Sequence, residues 1–134
     1  MLTIKRLDHL VMTVRDVEAT CRFYETVLGM KRETFGPDNR RVSLKFGDQK
    51  INLHPEMGND IGYLARIAQP GTEDLCFVTD DDPADVIAHL QACGITPLDP
   101  EPVMRTGALG RPIRSVYFRD TDGNLIEISS YSGS

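Results

Sequence analysis

The sequence contains no tryptophan, few aromatic residues and only three cysteines among its 134 residues. Aromatics make up 7% of the chain, which disfavours a binding site built mainly on ring stacking. Cys21, Cys76 and Cys93 are odd in number and contain no CxxC pair, which argues against a disulfide framework and against a structural zinc knuckle. We therefore expect three reduced thiols.

Long apolar runs and an excess of basic residues are also missing. No hydrophobic stretch approaches the ~18 residues that a transmembrane helix needs, and residues 1–5 do not begin a signal-peptide core. Fifteen Lys and Arg against twenty Asp and Glu leave a net charge of −5, which disfavours nucleic acid and anionic membranes as partners. These absences predict a cytoplasmic protein that binds neither nucleic acid nor membrane.

The chain has the size and composition of one ordinary globular domain. Hydrophobic residues make up 40% of it and charged residues 26%, which sets it apart from disordered and fibrous chains. Its length is close to the ~150 residues of a typical domain. We predict a single domain over residues 1–134, with a first module at about residues 4–57 and a second at about 70–132.

The two halves of the sequence show the same order of predicted elements. A strand followed by a helix is predicted twice, over residues 7–14 and 16–29 and again over residues 74–79 and 82–94. Asp16 and Asp82 can cap the two helices at their N-termini, and a glycine follows each helix. Each half then continues with an extended stretch and two strands joined by a tight turn.

The remaining strands complete a β-α-β-β-β order in each half. The extended stretches are residues 31–35 and 95–103, and the paired strands are residues 41–46 and 50–54, then 115–118 and 124–129. A segment rich in proline and polar residues, 55–70, separates the halves and is predicted to be a linker.

Strand periodicity places polar side chains at equivalent positions of the two halves. Because side chains alternate along a strand, each sheet should have one apolar, helix-covered face and one more polar face. Aligning the halves sets His9 against Asp74 and Asn52 against Glu127. A histidine with two carboxylates suits a divalent ion such as Mn, Fe, Co, Ni or Zn. Taken singly, however, His9 is also typical of a hydrogen-bonded strand histidine, and Glu127 of a solvent-facing edge charge.

Three segments of the sequence resemble a known family: LDHLVMTVRD, FYETVLGM and FRDTDGNLIEIS. They are similar to the signatures of the vicinal oxygen chelate superfamily, which includes glyoxalase I, fosfomycin-resistance enzymes, extradiol dioxygenases and bleomycin-binding proteins. The resemblance covers about residues 5–131, and INLH, DLCF and RSVYFRD resemble small glyoxalase-domain-containing proteins. It implies an α+β fold in which two βαβββ modules form an open, cup-shaped barrel around a divalent metal, and it implies a homodimer.

The resemblance also implies roles for individual residues. His9 and Glu127 match the metal ligands of the first and last strands. Asp74 stands where many relatives have His, which argues against the iron triad of the dioxygenases. Asn52 stands where glyoxalase I has a second Glu, and an amide is a poor ligand. His54 could bind the metal in place of Asn52 or could simply end its strand.

Two further features have both a functional and a structural interpretation. The segment from Arg105 to Arg114, RTGALGRPIR, is predicted to be a loop that closes over an anionic substrate, or merely a solvated loop. We therefore predict that Arg105 and Arg114 bind the substrate. Asn52 is the third predicted substrate-binding residue. Cys76 is expected on the same face as Asp74, where it is more typical of a small buried apolar residue than of a nucleophile.

The sequence as a whole predicts a metal-dependent enzyme of the glyoxalase type that acts on a small molecule. The ion would chelate adjacent oxygens of the substrate, in lyase, isomerase or thiol-addition chemistry, and Glu127 would move a proton. The alternatives are a non-catalytic protein that sequesters an antibiotic or metabolite, a dioxygenase, and a fold kept for dimerisation alone. In the sequestering protein, His9, Asp74 and Glu127 would be incidental.

Overall fold

The computed structural model of the chain describes residues 1–57 and 62–131. The chain divides into two compact units, Met1–Thr72 and Glu73–Ser134, which are called unit 1 and unit 2 below. Residues 58–61 of the predicted linker and residue 132 of the predicted second module lie outside the described residues.

Unit 1 is a βαβββ module with a single four-stranded sheet. Its elements are β1 (His9–Val14), α1 (Val17–Leu28), β2 (Lys31–Phe35), β3 (Arg41–Phe46) and β4 (Gln49–Pro55), with a short 3-10 turn at Pro37–Asn39. The strand order is β1-β4-β3-β2. β1 pairs with β4 in parallel, whereas the β2–β3 and β3–β4 pairs are antiparallel.

Unit 2 repeats the same architecture. Its elements are β5 (Asp74–Val78), α2 (Pro83–Ala92), β6 (Val103–Thr106), β7 (Pro112–Arg119) and β8 (Leu125–Ser130). The strand order β5-β8-β7-β6 matches that of unit 1, again with one parallel pair, β5–β8, and two antiparallel pairs. The predicted α+β fold of two βαβββ modules is confirmed.

Both helices begin where the sequence indicates, and α1 also ends there, whereas α2 ends at Ala92, before the predicted residue 94. The Asp16 side chain accepts a 3.1 Å hydrogen bond from the backbone N–H of Ala19 at the start of α1, and Gly29 ends α1 in the left-handed conformation with φ 65°. The Asp82 side chain accepts from the backbone N–H of Ala84 at 2.9 Å. Among the described residues, no helix has the length and apolar character that crossing a membrane requires.

One face of each sheet packs against the helix of its own unit. The buried side chains of unit 1 on this face are Met12, Val14, Leu44, Ile51 and Leu53, covered by Cys21, Tyr24 and Val27 of α1. In unit 2 they are Val116, Phe118, Ile126 and Ile128, with Leu90 from α2. Full burial of one such side chain contributes about 1.5–3 kcal/mol. The opposite face of each sheet therefore carries the polar residues.

The stretch from Arg105 to Arg114 is a β-hairpin, so the expectation of a loop over its whole length was wrong. β6 continues to Thr106 and β7 starts at Pro112, which leaves only residues 107–111 in the turn. Gly107 and Gly110 lie in the turn, and Pro112 begins β7. Arg105 and Arg114 instead lie in paired strands, opposite Ile113 and Met104 respectively.

Candidate functional site

The strand registers place the predicted site residues at equivalent positions of the two sheets. In unit 1, Asn52 on β4 lies opposite the residue of β1 that comes two positions after His9. In unit 2, Glu127 on β8 lies opposite the residue of β5 that comes two positions after Asp74. A spacing of two keeps side chains on the same face of a strand. Asp74 and Glu127 therefore share the polar face of unit 2, and His9 and Asn52 share that of unit 1.

Two serines hold the carboxylate of Glu127. The Ser115 hydroxyl donates to Oε2 of Glu127 at 2.5 Å, and the Ser129 hydroxyl donates to the same oxygen at 3.1 Å. The two hydroxyl oxygens are 2.7 Å apart, and both serines are buried. Sequence reasoning missed these residues as part of the site. Ser115 lies two residues from Tyr117 on β7, and Ser129 lies two residues from Glu127 on β8. The arrangement fixes the orientation of the carboxylate.

Tyr117 and Arg105 extend this polar network across the sheet. Tyr117 on β7 lies directly opposite Glu127, and its hydroxyl accepts a 3.1 Å hydrogen bond from Nε of Arg105 on β6. Burial raises the pKa of Tyr117, the Arg105 hydrogen bond opposes this, and the charge of Glu127 adds to it. The raised pKa keeps the phenol protonated. The strand registers place Arg105 on the same face of the sheet as Glu127.

Cys76 is the residue of β5 that lies opposite Glu127. Its sulfur is 3.1 Å from the hydroxyl oxygen of Ser129, and the residue is exposed, in contrast to the burial expected from the sequence. Desolvation raises the pKa of the thiol, the Ser129 hydrogen bond opposes this, and the charge of Glu127 adds to it. Because the thiolate is the nucleophilic form, a raised pKa disfavours Cys76 as a nucleophile.

Arg114 does not join the network. It belongs to the positions of β7 that alternate with Ser115 and Tyr117, and its Nη2 atom lies 3.7 Å from Oδ2 of Asp82 at the start of α2. The structure thus brings Arg105, but not Arg114, together with Glu127.

His9 is held by its neighbour in the chain. Its Nδ1 atom lies 2.9 Å from a carboxylate oxygen of Asp8, and its side chain is 43% exposed. The hydrogen bond from His9 holds the pKa of the Asp8 carboxyl below its usual range. A carboxylate on one ring nitrogen is the arrangement that orients metal-binding histidines. It leaves Nε2 of His9 as the nitrogen to bind a ligand or an ion.

His54 lies on the same face as His9 but well away from it. The register sets His54 opposite Thr13, four residues further along β1 than His9, which is about 13 Å at ~3.3 Å per residue. Burial lowers the pKa of His54, and the charge of Arg41 lowers it further. His54 is thus a neutral, buried imidazole some distance from the predicted ligand of its own unit.

The side chains present offer the donor types of a divalent metal site. His9 of unit 1 offers an imidazole nitrogen, and Asp74 and Glu127 of unit 2 offer two carboxylates. These donor types suit a divalent ion. Within residues 1–57 and 62–131, however, no group of three or more His, Cys, Asp or Glu side chains is arranged to hold a metal ion.

The tip of the β6–β7 hairpin packs against Tyr131, just after β8. The Tyr131 hydroxyl accepts a 3.1 Å hydrogen bond from the backbone N–H of Leu109, and the Arg111 guanidinium carbon lies 5.0 Å from the centre of the ring. Gly107 lies so close to Tyr131 that any side chain there would collide with the ring. The turn is thus tied to the end of the strand that carries Glu127.

Comparison with known proteins gives consistent matches over nearly the whole chain. The chain is 51% identical to Glyoxalase domain-containing protein RDO1 of Mycosarcoma maydis, over 97% of this chain and 70% of that protein. It is 48% identical to Virulence protein STM3117 of Salmonella typhimurium, over 97% of this chain and 87% of that protein.

A solved structure shows the same fold. The integron cassette protein VCH_CASS1 from the mobile metagenome of V. cholerae superposes with a TM-score of 0.91 and 50% sequence identity, covering 98% of this chain and 99% of that one. The model of one protein family matches residues 6–128 of this chain. The chain therefore belongs to the Glyoxalase/Bleomycin resistance protein/Dioxygenase superfamily.

Proposed function

We propose that this chain is a metal-dependent enzyme of the glyoxalase type that acts on a small molecule through two adjacent oxygens. The observation that carries the proposal is the Glu127 carboxylate, oriented on the polar face of unit 2 by the buried hydroxyls of Ser115 and Ser129. A carboxylate that only faces solvent needs no such support, whereas a reacting or metal-binding carboxylate must be held in one orientation.

His9, Asp74 and Glu127 would hold the ion, with Mn, Fe, Co, Ni and Zn all compatible with one nitrogen and two carboxylate donors. When bound, the ion would supply a Lewis acid that stabilises negative charge developing on a substrate oxygen. Asp8 supports the proposal because it already fixes the imidazole of His9. His54 is left out of this ligand set because its register position separates it from His9.

The chain's own residues would bind the substrate and move the proton. Glu127 is the proposed proton-transfer group, since a carboxylate held beside a substrate can accept and return a proton. Arg105 lies on the same face and can bind an oxygen-rich or anionic part of the substrate, while its bond to Tyr117 keeps it in place. These roles fit a lyase, an isomerase or a thiol-adding enzyme.

A second candidate function is a non-catalytic protein that sequesters an antibiotic or metabolite. Asn52 favours it, because this residue gives unit 1 an amide at the position where unit 2 has the Glu127 carboxylate. A dioxygenase is less consistent with the side chains, since Asp74 occupies the position at which a second histidine would be needed.

Metal analysis of the purified, untagged protein separates the two candidates. We expect close to one divalent ion per chain in the parent protein and loss of that ion in a His9→Ala variant. His89→Ala, on α2, is the matched control and should keep the metal. A parent protein that takes up no divalent ion, or a His9→Ala variant that binds it unchanged, contradicts the proposal.

The sequence also predicts a homodimer, a cytoplasmic location and one domain over residues 1–134. These stay predictions. Sedimentation of the full chain tests the first, because a homodimer would have twice the 15.0 kDa mass of one chain.

A further inference from the structure

Three buried polar atoms lie together on the polar face of unit 1 without hydrogen-bond partners. They are Oγ of Ser43, Oδ1 of Asn52 and Nδ1 of His54, and none of them has a partner among the residues that the structure describes. Ser43 is 1% exposed and His54 is 8% exposed. We call these three residues the β3–β4 patch.

The sheet register makes the three residues of the β3–β4 patch neighbours. Ser43 on β3 is directly opposite Asn52 on β4. His54 follows Asn52 by two residues, so its side chain emerges on the same face. The three side chains therefore form one contiguous cluster.

An unpaired buried polar group destabilises a fold, and roughly nine in ten buried polar groups in folded proteins have a partner. Three unpaired groups side by side are therefore costly for the fold alone. A ligand that supplied the missing partners would recover this cost on binding, and this points to a binding surface.

The chemistry of the three atoms selects the ligand. Oδ1 of Asn52 can only accept a hydrogen bond, so an ionised carboxylate or a phosphodiester, which has no proton to give, cannot satisfy it. A cationic donor is disfavoured because the same face of β3 and β4 carries more positive than negative charge. The charged residues on this face are Arg41, Lys45 and Lys50 of β3 and β4 and Lys31 of β2, with Glu33 on β2 as the one carboxylate among these strands. A neutral donor remains.

We infer that the β3–β4 patch binds a neutral hydroxyl or amide group of the ligand, whose O–H or N–H donates to Oδ1 of Asn52. The oxygen of the same group accepts from the hydroxyl of Ser43. The patch begins next to His9, which is diagonal to Asn52 across β1 and β4. The identification of this ligand as the substrate rests on the proposed function. It defines the substrate as a molecule with a neutral hydroxyl or amide group.

Binding of small probes to the full chain, freed of metal by a chelator, tests the inference. The probes are acetamide, N,N-dimethylacetamide, which keeps the oxygen but lacks the N–H, and acetate, which is an anion of similar shape. We expect acetamide to shift the NMR signals of the Asn52 side-chain amide and the His54 ring saturably. The other two probes should bind at least about tenfold more weakly than acetamide, because each loses one buried hydrogen bond.

Two variants complete the test. Asn52→Leu and Ser43→Ala should each weaken acetamide binding by about tenfold and should leave the melting temperature unchanged or higher, because each removes an unpaired polar group. Thr34→Val, on the helix-facing side of β2, is the control and should bind acetamide like the parent. Equal binding of acetamide and dimethylacetamide overturns the inference, and so does a parent that binds no acetamide or a pair of variants that bind it unchanged. No metal is involved, so failure here is distinct from failure of the metal analysis.

Discussion

The hydroxyl of Ser115 and the carboxylate of Glu127 are joined across β7 and β8 by a 2.5 Å hydrogen bond. This is the short distance of a bond between a hydroxyl and an ionised oxygen, which is about twice as strong as a bond between neutral groups. Because Ser115 is 0% exposed, water does not compete for its hydroxyl. The carboxylate cannot rotate without breaking it.

Replacement of Ser115 by alanine should therefore disturb the site more than the fold. We expect Ser115→Ala to weaken metal binding or turnover about 10- to 100-fold, the usual cost of losing a residue that orients a ligand. Thr106→Val, on the same sheet but on the alternate face, should change neither. Calorimetric metal titration measures the effect. Parental affinity and turnover in Ser115→Ala would show that the serine does not position Glu127.

Glu127→Gln should preserve β8 and the fold but reduce catalytic turnover. Glutamine has nearly the shape of glutamate but does not accept a proton, so turnover should fall ~10²- to 10⁴-fold, as expected for a missing general base or acid. A panel of hemithioacetals, epoxides and catechols, assayed with metal present, supplies the readout. Glu33→Gln, an exposed carboxylate of unit 1, is the control. Undiminished turnover in Glu127→Gln would leave Glu127 as a metal ligand at most.

Asn124→Ala should destabilise unit 2. Asn124 is fully buried, its Nδ2 donates to Asp120 at 2.8 Å, and its Oδ1 accepts from the backbone N–H of Glu73 at 2.9 Å. Removing the amide leaves both partners without these bonds, which should lower the free energy of unfolding by about 2–4 kcal/mol. Urea unfolding measures the change, with Gln91→Ala on the exposed side of α2 as the control. A loss no larger than that of the control would contradict this account.

The stability of the protein should depend on pH through His54. Because the pKa of His54 is lowered from its ordinary value of 6.5, the unfolded chain binds a proton there that the folded chain does not. The free energy of unfolding should therefore rise with pH up to about 6.5 and level off above it. His54→Gln should reduce this slope. Melting temperatures between mildly acidic and neutral pH would reveal the difference, and equal slopes in parent and His54→Gln would refute it.

The fold could be predicted from the sequence because its signals are local. Asp16 and Asp82 mark the helix starts, and the alternation of apolar residues marks the strands, so both βαβββ modules follow. The sequence missed the start of β7, which lies at Pro112, and the position of β6. Its residues, Val103–Thr106, form a strand only because β7 supplies hydrogen-bond partners, and no local pattern encodes that pairing.

The candidate site could be predicted only in part. The period of two was enough to place Asp74 and Glu127 on one face, but it does not reveal which residues lie opposite them on other strands. Ser115 was missed for this reason, since only the register shows its contact with Glu127. Ser129 lies two residues after Glu127 on the same strand, but serine is common on any surface and its spacing alone does not indicate a hydrogen bond. The same information separates His54 from His9 and Arg114 from Arg105.

The contact between Tyr131 and the β6–β7 turn limits how this part of the chain can change in length. Exposed hairpin tips ordinarily tolerate insertions, because nothing else depends on their length. Here the backbone of Leu109 is bonded to Tyr131 and Gly107 lies against the same ring. An extra residue in the turn would break the hydrogen bond between Leu109 and Tyr131. It would also shift β6, the strand that carries Arg105. We expect relatives that lengthen this turn to have replaced Tyr131 as well.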